Sequence, residues 1–134
     1  MIRWRLHLAA APAAVFEFLA SDDGRARFWA ESAVARADMV DFVFPGGLRS
    51  TGRVLAVDAP RLYAVEYFGA PARFALADDG AGGTDLTLEH DLDDVETHAG
   101  WVSVLLALKA AADFGVDLRN HDPARSWEQG YVDN

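Results

Sequence analysis

Trp4, Leu6 and Leu8 alternate with Arg3, Arg5 and His7 at the head of the chain, the period of two that marks a strand with one dry and one wet face. His7 is thereby assigned to solvent. Pro12 then opens a helix on which Val15, Phe16 and Leu19 recur at helical spacing until Ser21-Asp22-Asp23-Gly24 interrupts it, and Asp22 is expected to cap a second short helix running through Phe28 and Trp29. From Ser32 to Leu92 strand follows strand, with turn signals at Pro45-Gly46-Gly47, Ala59-Pro60, Gly69-Ala70-Pro71 and Asp79-Gly80-Ala81-Gly82-Gly83. Val40, Phe42 and Phe44 share a face, as do Phe74 and Leu76, and Leu86, Leu88, His90 and Leu92. Asp41, Arg73, Asp85, Thr87, Glu89 and Asp91 alternate with them. The pattern is an antiparallel meander, dry on one side, and a dry sheet face requires a covering layer.

The last long segment supplies that cover. Between about Thr97 and Arg119, the residues Trp101, Leu105, Leu108, Ala112, Gly115 and Leu118 form a helical stripe roughly 34 Å long at ~1.5 Å per residue. Asp93, Asp94 and Glu96 suit the positive end of its dipole, and Arg119 and His121 suit the other end, before Pro123. The stripe is bulky at Trp101, Leu105 and Leu108 but thin at Ala111, Ala112 and Gly115. A gap is therefore expected at the thin end, unless Phe114, Phe16 or a tail residue fills it. The fold class that results is α+β, a curved antiparallel sheet of about seven strands with two short helices and a long C-terminal helix across it. One domain is expected over 1–134, with its core at about 2–119 and a tail at 120–134. Trp127 and Tyr131 make that tail too aromatic for a disordered end, so it is expected to pack as a gate, as a plug or as a contact in a homodimer.

Composition narrows the chemistry. A chain of 134 residues suits one compact domain, and 51% hydrophobic with 25% charged residues excludes wholesale disorder. The net charge is −9, and no Lys or Arg occurs between Arg73 and Lys109, an interval rich in Asp and Glu, so nucleic acid is excluded as a partner. Those acids alternate along a strand and crowd a helix start, as on a solvated face, and lack the spaced ligands of a calcium loop. The longest run free of charged residues, Thr97 to Leu108, is short of the ~20 needed to span a bilayer. The chain head lacks a secretion-signal pattern, which leads to an expected cytoplasmic location. Without cysteine there is no disulfide, thiolate metal site or cysteine nucleophile. No cofactor and no metal are assigned: His90 and His98 fall on different elements, and neither a serine elbow motif nor a phosphate loop is present.

Four motifs in order resemble the helix-grip, START-like superfamily, also called SRPBCC. Ala10-Ala11-Pro12-Ala13-Ala14-Val15-Phe16 is similar to the approach to its first helix and Val57-Asp58-Ala59-Pro60-Arg61-Leu62 to its central hairpin. Gly83-Thr84-Asp85-Leu86-Thr87-Leu88-Glu89-His90 resembles the last strand, and Gly100-Trp101 with Leu105 and Leu108 the closing helix, of the branch named after the activator of the heat-shock-protein-90 ATPase. The resemblance spans about residues 2 to 119. It implies binding of a small hydrophobic or amphipathic ligand between sheet and helix. Its alternatives are an enzyme of the polyketide aromatase/cyclase or hydrolase type, and a protein-interaction module of the chaperone-activator type; lipid carriers are more distant members.

The residues expected to face such a ligand are the aromatic set Trp29, Phe42, Phe44, Phe68, Phe74 and Trp101, with Leu76, Leu88, Leu105, Leu108 and Ala112 beside them. Two polar candidates join them. Glu66 enters the chamber if Leu62, Ala64, Glu66 and Phe68 form the dry face, but Tyr63, Val65 and Tyr67 are equally apolar and periodicity leaves both registers open. His90 lies among leucines, where its imidazole either serves a ligand or is satisfied by nearby backbone or a tyrosine hydroxyl. If both point inward, a Glu66–His90 pair would be a general base and acid. Arg36 is either an anchor for an anionic head group or an exposed partner of surface acids.

Overall fold

β1 (Ile2–Leu8) leads through α1 (Pro12–Ala20) and α2 (Asp22–Ala26) into β2 (Ser32–Arg36), β3 (Met39–Val43), β4 (Arg49–Asp58), β5 (Leu62–Tyr67), β6 (Ala70–Asp78) and β7 (Thr84–His90), and α3 (Val95–Phe114) follows. The computed structural model describes residues 1–134. All seven strands belong to one antiparallel sheet in the order β1-β7-β6-β5-β4-β3-β2, so the N-terminal strand closes against the last one. Pairing sets two inward rows across it, Ile2–His90–Ala72–Val65 and Trp4–Leu88–Phe74–Tyr63. Because side chains alternate along a strand, these rows send Arg73, Thr87 and Glu89 to the other face.

The sheet closes over its own side chains because β4 bends. A Cβ at Gly52 would lie 1.7 Å from the Glu66 carbonyl oxygen, so only glycine allows β4 to pass this close to β5. A register shift between Val54 and Ala56 follows immediately, and such irregularities increase local twist. At the β5–β6 turn Phe68 and Gly69 both take positive φ, 49° and 80°, as a tight hairpin turn of this hand requires.

The helical elbow is held by a buried arginine. Arg25, 1% exposed, donates Nε to the Ala33 carbonyl at 2.9 Å, a guanidinium N–H to the Leu19 carbonyl at 3.1 Å and another to Asp22 at 2.5 Å. Asp22 also accepts from the Ala35 backbone N–H at 2.9 Å, and so joins α2 to β2. The expected capping role belongs instead to Ser21, whose hydroxyl accepts from the Gly24 N–H at 2.9 Å, while Asp22 is the first residue of the helix.

α3 crosses the inward face with Trp101, Leu105 and Leu108 buried, and Asp94 caps its start through the Thr97 N–H at 2.9 Å. It ends earlier than the apolar stripe suggests. Gly115 adopts the left-handed conformation at φ 65° and terminates it, so Leu118, 51% exposed, lies beyond the helix. Asp113 in the last turn accepts from the Ala9 and Ala10 N–H groups at 2.9 and 3.0 Å. Lys109, the single lysine, bridges Asp113 and the His7 carbonyl at 3.0 and 2.6 Å. The end of α3 is thus fastened to the β1–α1 junction. Trp4, on the inward parity, remains 40% exposed at the sheet edge with its ring edge-on to His98. No helix is long and apolar enough to cross a membrane.

Gly52→Ala is expected to destabilise the protein by at least about 3 kcal/mol, because backbone must move to admit the Cβ; urea unfolding monitored by far-ultraviolet circular dichroism would measure it, and a loss under about 1 kcal/mol would contradict the close approach.

Candidate functional site

At the N-terminal end of α3, four parts of the chain surround a cleft of about 330 Å³: the β3–β4 loop at Phe44, Pro45 and Leu48, the β5–β6 turn at Tyr67 and Phe68, the first half of α3, and the C-terminal segment. Its deep wall is aromatic. Trp29 sits at the centre of a cluster, with ring centroids 4.8 Å from Phe42, 5.4 Å from Tyr67, 5.3 Å from Phe74 and 5.9 Å from Trp101. Phe44 stacks on Phe68 at 5.9 Å nearer the mouth. Gly100 leaves one side of the cleft bare, since a Cβ there would meet nothing within 4 Å.

Behind this wall is a short chain of buried polar contacts. His90 is fully buried, with Nε2 2.9 Å from the Tyr67 carbonyl and Nδ1 2.8 Å from the Trp101 indole nitrogen. The indole is a donor only and the carbonyl an acceptor only, which fixes the neutral tautomer with its proton on Nε2. Burial pushes the His90 pKa below its ordinary value, against smaller opposing contributions from backbone carbonyls. Both ring nitrogens are occupied. Burial likewise raises the Tyr67 phenol far above its ordinary range, with the nearby Trp29 indole N–H opposing the shift.

Glu66 is on the other side of the sheet. Tyr63, Val65 and Tyr67 are the inward face of β5, and Glu66, paired with Pro71, alternates with them outward. Register thus resolves the open alternative against an inward carboxylate, and the Glu66–His90 pair does not form. Of the other residues expected to face a ligand, Trp29, Phe44, Phe68 and Trp101 line the cleft. Phe42, Phe74, Leu76, Leu88, Leu105 and Leu108 are buried in the core, and Ala112 packs at its edge. Arg36 is exposed and paired with Asp41 at 2.9 Å. The expected gap opposite the small residues of α3 is reduced to a depression of about 160 Å³ beside Ala111 and Gly115, so the main cleft lies at the bulky end. No group of three or more His, Asp or Glu side chains converges as metal ligands would.

The wall that sequence reasoning could not place is the C-terminal segment. Arg119, whose side chain is 6% exposed, donates to the Ala30 and Ala26 carbonyls at 2.7 Å each. His121 stands between Glu31 at 2.6 Å and Asp117 at 2.7 Å. Hydrogen bonds to Asp117 and then Glu31 raise the His121 pKa, whereas partial burial alone would raise that of Asp117, but Arg119 and His121 outweigh it and hold the carboxyl low. These residues therefore anchor an extended strap and do not belong to a helix end. The strap turns at Trp127–Gln129 and returns to α3. The Trp127 indole N–H donates to Glu96 at 3.0 Å and the Ser103 hydroxyl to the Val132 carbonyl at 2.5 Å. Ser126, Trp127, Glu128 and Asn134 so become one wall of the cleft. The aromatic residues of the tail were the signal for this, and its polar anchors were not readable.

Comparison with solved structures settles the architecture. A Staphylococcus saprophyticus protein solved by crystallography superposes with a TM-score of 0.76 at 21% identity, over 88% of this chain and 95% of that one. The Aha1 dimer from Colwellia psychrerythraea gives 0.74 at 20% identity, over 85% and 96%. The chain has a helix-grip fold. CalU16 from Micromonospora echinospora shares the helix-grip fold too, at TM-score 0.66 and 23% identity over 81% of this chain and 71% of that one. No family model matches the chain, and no curated protein matches it significantly.

His90→Ala is expected to cost about 3 kcal/mol, since it leaves the Trp101 N–H buried without an acceptor and opens a void. Glu66→Gln, on the outward face, is expected to change stability by less than about 0.5 kcal/mol; thermal unfolding of the two variants separates a structural histidine from a working pair. The strap carries its own pH dependence. With the folded pKa of His121 raised, its contribution is complete below the ordinary value of 6.5 and disappears as pH rises through the folded value. Hydrogen exchange corrected for intrinsic rate is expected to show weaker protection of Asn120 to Asn134 at about pH 9 than at about pH 6.

Proposed function

We propose that this helix-grip protein binds a small, predominantly apolar molecule in the cleft at the N-terminal end of α3. The observation that carries the reading is an aromatic-walled space of about 330 Å³ beside a core packed with fully buried side chains. Ligand pockets begin at about this size and are lined in this way, apolar with few polar groups. A packed protein of this length gains nothing in stability from leaving such a volume open, since unfilled space forfeits dispersion attraction. The strap contributes one wall, so binding and the order of the C-terminal segment are coupled.

The reading favours a binding protein over the enzymatic alternative. General acid-base chemistry by Glu66 and His90 needs both groups within hydrogen-bond reach of a substrate, and they occupy opposite faces of the sheet, with His90 already using both nitrogens. The acidic surface and the Colwellia Aha1 likeness bear on the interaction-module alternative only at the level of fold.

Gly100→Leu separates binding from folding. A Cβ at this position meets nothing within 4 Å, and replacing a mid-helix glycine favours the helix by about 0.5–1 kcal/mol, so the variant is expected to be at least as stable as the parent. Native mass spectrometry of the purified protein, followed by solvent extraction, is expected to reveal a small molecule that accompanies the parent and is absent from Gly100→Leu. The same adduct on both proteins would place the ligand elsewhere and overturn the reading.

A further inference from the structure

The mouth of the cleft carries charge of one sign only. Asp94, Glu96 and Glu128 line it, and no Lys, Arg or His does. None of the three is in a salt bridge, although acids elsewhere on the surface pair with Arg36, Arg61, Arg119 and Arg125. Asp94 is spent on capping α3, since both its oxygens accept from Thr97. Glu96 and Glu128 are not. The Trp127 indole takes one Glu96 oxygen and holds the side chain at the rim, while the second oxygen and the whole Glu128 carboxylate accept nothing from the chain.

A further observation points the same way. The wall beneath the acids is largely aromatic, with Trp29, Tyr67 and Trp101 at depth and Phe44, Phe68 and Trp127 nearer the mouth, and aromatic rings attract a cation over their faces. A carboxylate-headed ligand such as a fatty acid would place its charge among Glu96, Glu128 and the ring faces, and it would find no cation there.

We infer that the cleft selects an organic amine: a molecule with an apolar, ring-sized body and a protonated nitrogen that sits at the mouth against Glu96, Glu128 and Trp127. This rests on the binding reading above and adds the charge of the ligand. A cation over an exposed aromatic face is worth about 2- to 5-fold in affinity, and the two carboxylates add to it in a salt-dependent manner.

The test is a matched series of three probes on the intact protein: 2-naphthylmethylammonium, 2-naphthylmethanol and 2-naphthoate, titrated at low and high salt and followed by amide chemical shifts of residues around Gly100. The expected order is amine over alcohol by at least 5-fold and alcohol over carboxylate by at least 5-fold, with the amine advantage shrinking as salt rises. In the Glu96→Gln, Glu128→Gln double variant the amine-to-alcohol ratio is expected to fall to within about 2-fold, while the amide oxygen introduced by Glu96→Gln still accepts the Trp127 hydrogen bond. Equal affinity for amine and alcohol, or a preference for the carboxylate, overturns the inference while leaving the cleft reading intact. Failure of all three probes to shift these amides overturns the cleft reading, and this one with it.

Discussion

One hydrogen bond sets the position of the covering helix. The Trp101 indole N–H reaches the sheet at His90, whose other nitrogen donates to the Tyr67 carbonyl, so α3, β7 and the end of β5 are joined through a single imidazole. Apolar packing between a helix and a sheet is tolerant of sliding, because the dispersion attraction given up at one register is partly regained at the next. A buried donor has no such tolerance, for away from its acceptor it bears its full desolvation cost. The aromatic cluster around Trp29 then packs against a helix whose place is already defined, and the cleft begins where that packing ends.

The strap is positioned by the same logic of buried donors. Arg119 reaches the carbonyls at the end of the α2 elbow, and Arg25 inside the elbow reaches carbonyls of α1 and β2. Main-chain oxygens left over at helix ends and irregular turns are satisfied by guanidinium groups, and those of Arg119 connect segments some ninety residues apart. The cleft wall is therefore supported through Ala26 and Ala30 as well as from α3.

Most of the architecture was legible because periodicity reports faces. The alternation of Val40 with Phe42 and of Leu86, Leu88 and His90 identified the inward side, and the spacing of Trp101, Leu105 and Leu108 identified the cover. Where both parities were apolar, as in β5, the pattern was silent, and only pairing with β6 decided that Glu66 turns outward. Apolar spacing does not mark the helix end, because Leu118 continues it while Gly115 stops the helix through backbone conformation. The cleft was harder still. Small residues suggested a void at one end of α3, but a void depends on what faces a residue, and those partners, the strap and two loops, come from distant positions in the chain.

The order of the strands in the sheet differs from their order along the chain at one place, β1 against β7, and this governs the sequence of events during synthesis. The meander β2 to β7 can zip hairpin by hairpin as it leaves the ribosome, through contacts close in sequence. β1 has no partner from this sheet until β7 has emerged, and the inward face stays open to water until α3 follows. For that interval the nascent protein is a half-covered apolar sheet with a free edge, the species most prone to wrong pairing. The cleft, one wall of which is the segment after α3, takes shape only once that segment has followed the helix.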